Sequence, residues 1–157
     1  MKYSNDFLDW VKNFHLTFKA PVLEIPQIPS KNRCDLRVNL IQEELNELNQ
    51  ALKDNDLTEV LDACGDLMVV LLGSIHEFGL GNVFNEAFRE IHNSNMSKAC
   101  STEEEANLTI QHYLVKDGTI SHFEKVDDKW IVYRSSDNKI LKSINYTPAD
   151  MKKFLIN

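Results

Sequence analysis

The sequence predicts an all-α chain, a four-to-five-helix bundle with a small antiparallel β appendage towards its C-terminal end. Three observations lead there. Apolar residues recur at helical spacing through a core of about residues 4–113. Proline clusters and helix-capping residues divide that core into segments of helical length. From about 114 to 146 the texture changes to β-branched and aromatic residues between turn signals, and a short helix is expected over about 148–155. Residues 1–157 read as a single domain, with no internal repeats and no low-complexity tracts.

In chain order, "SNDFLDWVKNFHLTF" carries Phe7, Val11, Phe14 and Phe18 at helical spacing and predicts a first amphipathic helix. In "KAPVLEIPQIPSK", Pro21, Pro26 and Pro29 suit an extended connector, because proline lacks the amide donor a helix interior needs. A long helix follows from about Lys31 to about Lys53, and "KDND" breaks it. Asp56 with Glu59 three residues on has the form of a capping box, so a third helix starts there and runs to Phe78, with Gly79 as its C-terminal cap. "GNVFNEAFREIHNS" predicts a fourth helix and "STEEEANLTIQHYL" another. In "GTISHFEKVDDKWIVYRSSDNKILKSINY" we expect two or three short antiparallel strands, too little to fold alone. Pro148 in "TPADMKKFL" is placed to begin the closing helix.

The composition is 43% apolar and 26% charged, ordinary for a globular protein, and the net charge is −7. That charge argues against binding nucleic-acid backbone or an anionic membrane, but permits an anionic small substrate reached through cations. Cys34, Cys64 and Cys100 are widely spaced with no C-x-x-C, which excludes zinc ribbons and points to reduced thiols in a cytoplasmic protein. "MKYSNDFLDW" lacks the apolar stretch of a signal peptide, and the run "LMVVLL" is too short to span a bilayer.

The chemistry lies in the second and third helices. With Glu43 at zero, Glu47 falls at roughly 40° and Glu44 at roughly 100° round the helix. Leu36, Leu40 and Ala51 share that arc, and a core stripe of Ile41, Leu45, Leu48 and Leu52 follows. The solvated side holds Asn39, Gln42, Asn46, Asn49, Gln50 and Lys53. On the third helix Glu59, Asp62 and Asp66 lie within about 60° of one another, with Gly73 inside the arc further on. Acids so spaced ordinarily form a solvated face. Here each stripe borders a core, and a short turn packs the two helices antiparallel. Two carboxylates about 4 Å apart repel by roughly 4 kcal/mol at an effective dielectric of about 20, so a shared cleft requires cations. All-oxygen donors select hard ions, Mg²⁺ or Mn²⁺. A di-iron bundle is excluded, since no histidine has a glutamate three residues before it.

"EELNEL" followed by "DACGDLMVVLLG" resembles the all-α nucleoside triphosphate pyrophosphohydrolases of the MazG type, a superfamily that includes phosphoribosyl-ATP pyrophosphohydrolase and all-α dUTPases. Its signature is E-x-x-E on one helix and E-x-x-D on the next. "FHLTFKAPV", "IHNSNMSK" and "SDNKILKSINYTPADM" extend the likeness over most of the chain. The resemblance implies metal ligation by Glu44 and Glu47 and by Asp66. Ala63 stands where the family has the first glutamate of E-x-x-D; Asp62 is the expected substitute, with Glu59 the alternative. It further implies Mg²⁺-dependent hydrolysis of a (d)NTP to (d)NMP and pyrophosphate, in nucleotide house-cleaning. Glu43, beside the ligand pair, is the candidate general base, with an additional metal ligand as the alternative, and Asn95 and Lys98 of "SNMSK" are the candidate substrate contacts. Arg134, Lys139 and Lys142 on the β appendage read as a solvated hairpin in preference to contacts that close over the phosphates. A catalytically weakened nucleotide-binding regulator of the same fold is the alternative. His76 and His92 read as structural, and Trp10, Phe14 and Phe18 as core in preference to a base-stacking surface. Leu67–Leu72 is apolar nearly all round, so a homodimer or higher homo-oligomer sharing that helix is expected.

Overall fold

The computed structural model describes residues 6–155. It contains five α-helices, α1 (Phe7–Thr17), α2 (Lys31–Asp54), α3 (Leu57–Glu77), α4 (Phe84–Met96) and α5 (Glu103–Asp117). A hairpin of β1 (Ser121–Val126) and β2 (Lys129–Arg134) follows, then a 3-10 turn at Lys152–Phe154. The expected all-α fold with its β appendage is thus present. Residues 4 and 5, placed at the start of the helical core by periodicity, lie outside the described residues.

The chain divides into two compact units, one ending at Asn85 and the other beginning at Glu86. In the first, α2 and α3 form an antiparallel hairpin and α1 packs on α3. Asn55 makes the turn by adopting the left-handed conformation at φ 53°, which asparagine tolerates. Asp56 then caps α3, accepting from the Thr58 amide at 3.0 Å and the Glu59 amide at 3.2 Å. Its own amide is taken by the Ala51 carbonyl, so the anticipated capping box is one-sided and the Glu59 carboxylate is not engaged in it. Gly79 follows the end of α3 at φ +70°, and a side chain there would begin 2.1 Å from the Ile25 carbonyl oxygen. Glycine is required on both counts.

The expected core stripe of α2 is corrected by the structure. Leu45 is 46% and Leu52 62% exposed, whereas Arg37 and Ala51 are buried. The helix turns towards α3 the arc that carries its glutamates and leaves much of its leucine stripe uncovered. Trp10, Phe14 and Phe18 are likewise 44%, 49% and 68% exposed and do not form a core.

In the second unit Cys100, Ala106, Val132 and Leu141 form the core, with Ile110, Tyr113, Phe123 and Trp130 against it. β1 and β2 pair antiparallel from Ser121↔Arg134 to Val126↔Lys129, and isolated bridges join Tyr133 to Ile140 and Cys100 to Trp130. α5 runs to Asp117, four residues past its expected limit, and ends at Gly118 with φ 73°. Pro148 does not begin a helix. The Asp150 amide donates instead to Glu90, and only the three-residue turn that follows is helical in character.

Candidate functional site

The α2–α3 interface is locked at one end by a buried ionic network. Glu77, 1% exposed, accepts from Arg33 at 2.6 and 3.0 Å and from Arg37 at 3.4 Å. Arg37 also donates to the Ser74 hydroxyl at 3.1 Å and to the Val70 carbonyl. Burial, only partly offset by Glu77, pulls the Arg37 guanidinium below its usual range. Sequence reasoning missed this network. Gly73 held the available signal: the space a side chain would fill is occupied by Arg37, whose Nη2 would lie 2.5 Å from an added Cβ, and by His15 at 2.6 Å. His76 is structural as expected, with Nε2 2.9 Å from the Leu8 carbonyl.

The pairing of Arg37 with Ser74 sets the register. Two turns along α2 from Arg37 comes Glu44, and in an antiparallel pair it lies level with the part of α3 two turns before Ser74, around Asp66. Glu44 is half-buried, and its Oε2 is shielded from solvent with no hydrogen-bond partner. Its carboxyl is pushed above the ordinary value, first by burial and then by the charges of Glu47, Asp66, Glu43 and Asp62. Those four side chains are exposed. The hairpin therefore gathers Glu43, Glu44, Glu47, Asp62 and Asp66 within electrostatic reach of one another. Glu59 does not figure among the charges acting on Glu44; it lines a separate cavity of about 250 Å³ with Glu47, Asp54 and Asp56. Ala63 is buried, so the small side chain at the departure from E-x-x-D is itself part of the helix–helix contact.

Whether these residues suit a divalent ion can be judged from their chemistry. The donors are all carboxylate oxygens, and one is buried without a partner among like charges, an arrangement that a hard cation relieves. Among the described residues, no three Asp, Glu, His or Cys side chains are already close enough to grip an ion. The charge therefore fits, and the carboxylates would have to draw together round it.

Beside this cluster, α1 and α3 enclose a cavity of about 490 Å³ lined by Phe7, Trp10, Phe14, Gly65, Asp66 and Val69 among others. Asp66 thus borders both the carboxylate cluster and an otherwise apolar slot.

In the second unit Asn95 and Lys98 are brought together, with Lys98 Nζ donating to Asn95 Oδ1 at 2.8 Å. Lys142 lies over the Tyr146 ring, 4.3 Å from its centroid, and Arg134 is held by Asp137 at 2.6 and 2.8 Å. Arg134 and the Lys139 amide, both donating to it, hold the Asp137 carboxyl down to about 2.

Paired antiparallel helices with an acidic cluster in their seam define the class of protein: an all-α carboxylate hairpin. The family model described as phosphoribosyl-ATP pyrophosphohydrolase matches residues 11–95, more than half of the chain, and the chain belongs to that family. Membership supports a nucleotide pyrophosphohydrolase-type activity, hydrolysis of a phosphoric anhydride. The matched stretch holds both acidic motifs and stops at Asn95, so Lys98 and the β hairpin lie beyond it. The chain is also similar to an uncharacterized protein of Acanthamoeba polyphaga mimivirus, at 27% identity over 85% of this chain and 89% of that protein. Among the described residues, no helix is long and apolar enough to cross a membrane.

Proposed function

We propose that the chain is a cytoplasmic Mg²⁺-dependent nucleoside triphosphate pyrophosphohydrolase that converts a (d)NTP to (d)NMP and pyrophosphate and so clears unwanted nucleotides. The observation that carries this reading is the solvent-shielded, unpartnered Glu44 oxygen among four like charges, in a hairpin matched by a pyrophosphohydrolase family. Glu44, Glu47, Asp62 and Asp66 are the proposed Mg²⁺ ligands, with Mn²⁺ as a substitute. Asp62 is preferred to Glu59 because its charge reaches Glu44. When bound, the ion supplies charge neutralisation at phosphate oxygens and a lowered pKa for water.

Glu43 is exposed beside the ligand pair and accepts the proton of the attacking water as the phosphoanhydride bond breaks. Asn95 offers amide hydrogen bonds to sugar or base, and Lys98 an ammonium to phosphate. The uncovered Leu45 and Leu52 on α2, with Met68 and Leu71 on α3, favour a homodimer or higher homo-oligomer in which these faces are shared. Sedimentation showing a monomer at every concentration would count against that assembly.

The test is pyrophosphate release with Mg²⁺ over a panel of ribo- and deoxynucleoside triphosphates and phosphoribosyl-ATP. Activity on at least one, abolished in Glu43→Gln while metal-dependent nucleotide binding persists, supports the reading. One observation favours a second reading. Ala63 is buried where the family signature has a glutamate, which suits a weakened nucleotide-binding regulator. Binding across the panel without pyrophosphate release would select it.

A further inference from the structure

The end of α4 and the chain after the β hairpin are tied side by side. The Ser143 amide donates to the Lys98 carbonyl at 3.1 Å, and the Thr147 amide to the Ser97 hydroxyl at 3.0 Å. The Ser94 hydroxyl donates to the Tyr146 hydroxyl at 3.0 Å. These bonds set Lys98 beside Ser143, the neighbour in sequence of Lys142. Lys142 Nζ lies over the Tyr146 ring, 4.3 Å from its centroid. Lys98 is half-buried, and its Nζ donates to the neutral Asn95 amide oxygen. Among the described residues, no ion pair joins either ammonium to a carboxylate, whereas Arg134 is closed on Asp137. The Tyr146 hydroxyl is pulled below its usual range, first by the Ser94 bond and then, against burial, by the charges of Lys142 and Lys98. Since Ser94 donates to the phenolic oxygen, the phenolic proton can be given to a third group.

Two ammoniums without a carboxylate partner, next to a phenol donor, concentrate positive charge in a chain of net charge −7. The negative charge elsewhere repels polyanionic macromolecules and leaves access to a small, densely charged anion. A phosphate group has that density, and its oxygens accept from donors on several sides. Extending the Lys98 contact of the pyrophosphohydrolase reading, on which this step rests, we propose that Lys98, Lys142 and the Tyr146 hydroxyl form a binding site for a di- or triphosphate group that needs no divalent ion. The group is the phosphate tail of the substrate or released pyrophosphate. All three residues lie beyond the stretch that the family model matches, so the site is a contribution of the C-terminal segment.

The test is a calorimetric titration of inorganic tripolyphosphate into the full chain in EDTA. With divalent ions chelated, the carboxylate cluster repels the anion, so the heat reports the lysine site alone. The proposal requires saturable binding by wild type, weakened about tenfold or more in Lys142→Gln, the loss of one charge-assisted contact. Tyr146→Phe keeps the ring under Lys142 and removes only the hydroxyl, and should weaken binding about threefold. Lys125→Gln is the control. Lys125 is exposed and lies over the Trp130 ring at 5.4 Å, so it carries the same charge in a similar setting away from Tyr146. Its loss should leave the affinity unchanged.

No binding in EDTA, or the same affinity in Lys142→Gln as in Lys125→Gln, overturns the site, and pyrophosphate release by that same chain leaves the hydrolase standing. Tripolyphosphate binding that Lys142→Gln weakens, in a chain that releases no pyrophosphate from any nucleotide, keeps the site and removes the hydrolase. Where both hold, steady-state kinetics identify the source of the anion. A KM raised about tenfold in Lys142→Gln at unchanged kcat assigns the site to the phosphates of the substrate. An unchanged KM, with product inhibition by pyrophosphate weakened about tenfold, assigns it to the leaving group.

Discussion

Removing the Glu77 carboxylate tests the frame that holds the carboxylate cluster. In Glu77→Ala the three hydrogen bonds it accepts disappear, two from Arg33 and one from Arg37. The two arginines do not suffer equally. The Arg33 side chain is 36% exposed and can swing into water, while that of Arg37 is 8% exposed and would stay charged inside the interface. Breaking a buried pair from one side costs about 3–5 kcal/mol, most of it the stranded charge. For a chain of this size that lowers the melting midpoint by roughly 6–20 °C.

Because the chain has two units, the transition is best followed by Trp10 emission in the Trp130→Phe background, which reports on the first unit alone. Arg33→Ala should cost much less, about 1 kcal/mol, because the group it abandons is still paired with Arg37. Glu77→Leu combined with Arg37→Met removes both buried charges and should recover most of the loss. A Glu77→Ala cost within about 0.5 kcal/mol of wild type, like a surface change, would refute the argument. So would a double variant whose loss is the sum of the singles, since that would mean the two side chains do not interact.

Three further outcomes follow from the same geometry. The folded state raises the Glu44 carboxyl above its ordinary 4.5, so between that value and the folded one the native chain holds the extra proton and stability falls as pH rises. Glu44→Gln should therefore melt higher than wild type at neutral pH, with the advantage gone below pH 4.5, and, as a variant of a proposed ion ligand, should lack the Mn²⁺ stabilisation expected of wild type in a thermal-shift assay. His76 has its pKa lowered, first by burial, below 6.5; its neutral form is the one that packs, so its contribution is whole above that pH and is lost as pH falls through the folded value. A pH series of melting midpoints should show a loss below about pH 6.5 that is shallower in His76→Gln. Gly73→Ala should destabilise by about 1–3 kcal/mol in urea unfolding, since Arg37 is held by three partners and cannot yield, while Gly65→Ala should gain up to about 1 kcal/mol.

The elements were largely legible because each is announced locally. The Asp56 cap, the "KDND" break, Gly79 and the proline connector act through their own backbone and need no distant partner. The faces were harder to read. On α2 the leucines at 45 and 52 formed the more hydrophobic stripe, and periodicity assigned them the core. The structure packs the neighbouring arc instead, because Arg37, Glu77 and Ser74 satisfy one another across the seam and Ala51 and Ala63 are small enough to let the helices close. A hydrophobicity pattern gives no credit to a buried arginine whose partner lies 40 residues away.

That misreading bears on function. A seam built on leucine would bury its flanking glutamates only by accident. This seam carries polar groups at two places beside its buried alanines: arginine against glutamate at one, and Glu44 among four further acids at the other. The first half neutralises itself within the protein. The charges acting on Glu44 in the second are all acidic, and its Oε2 is left without a partner. An interface that answers acid with arginine at one end and sets acid beside acid at the other is what the proposed divalent ions would complete.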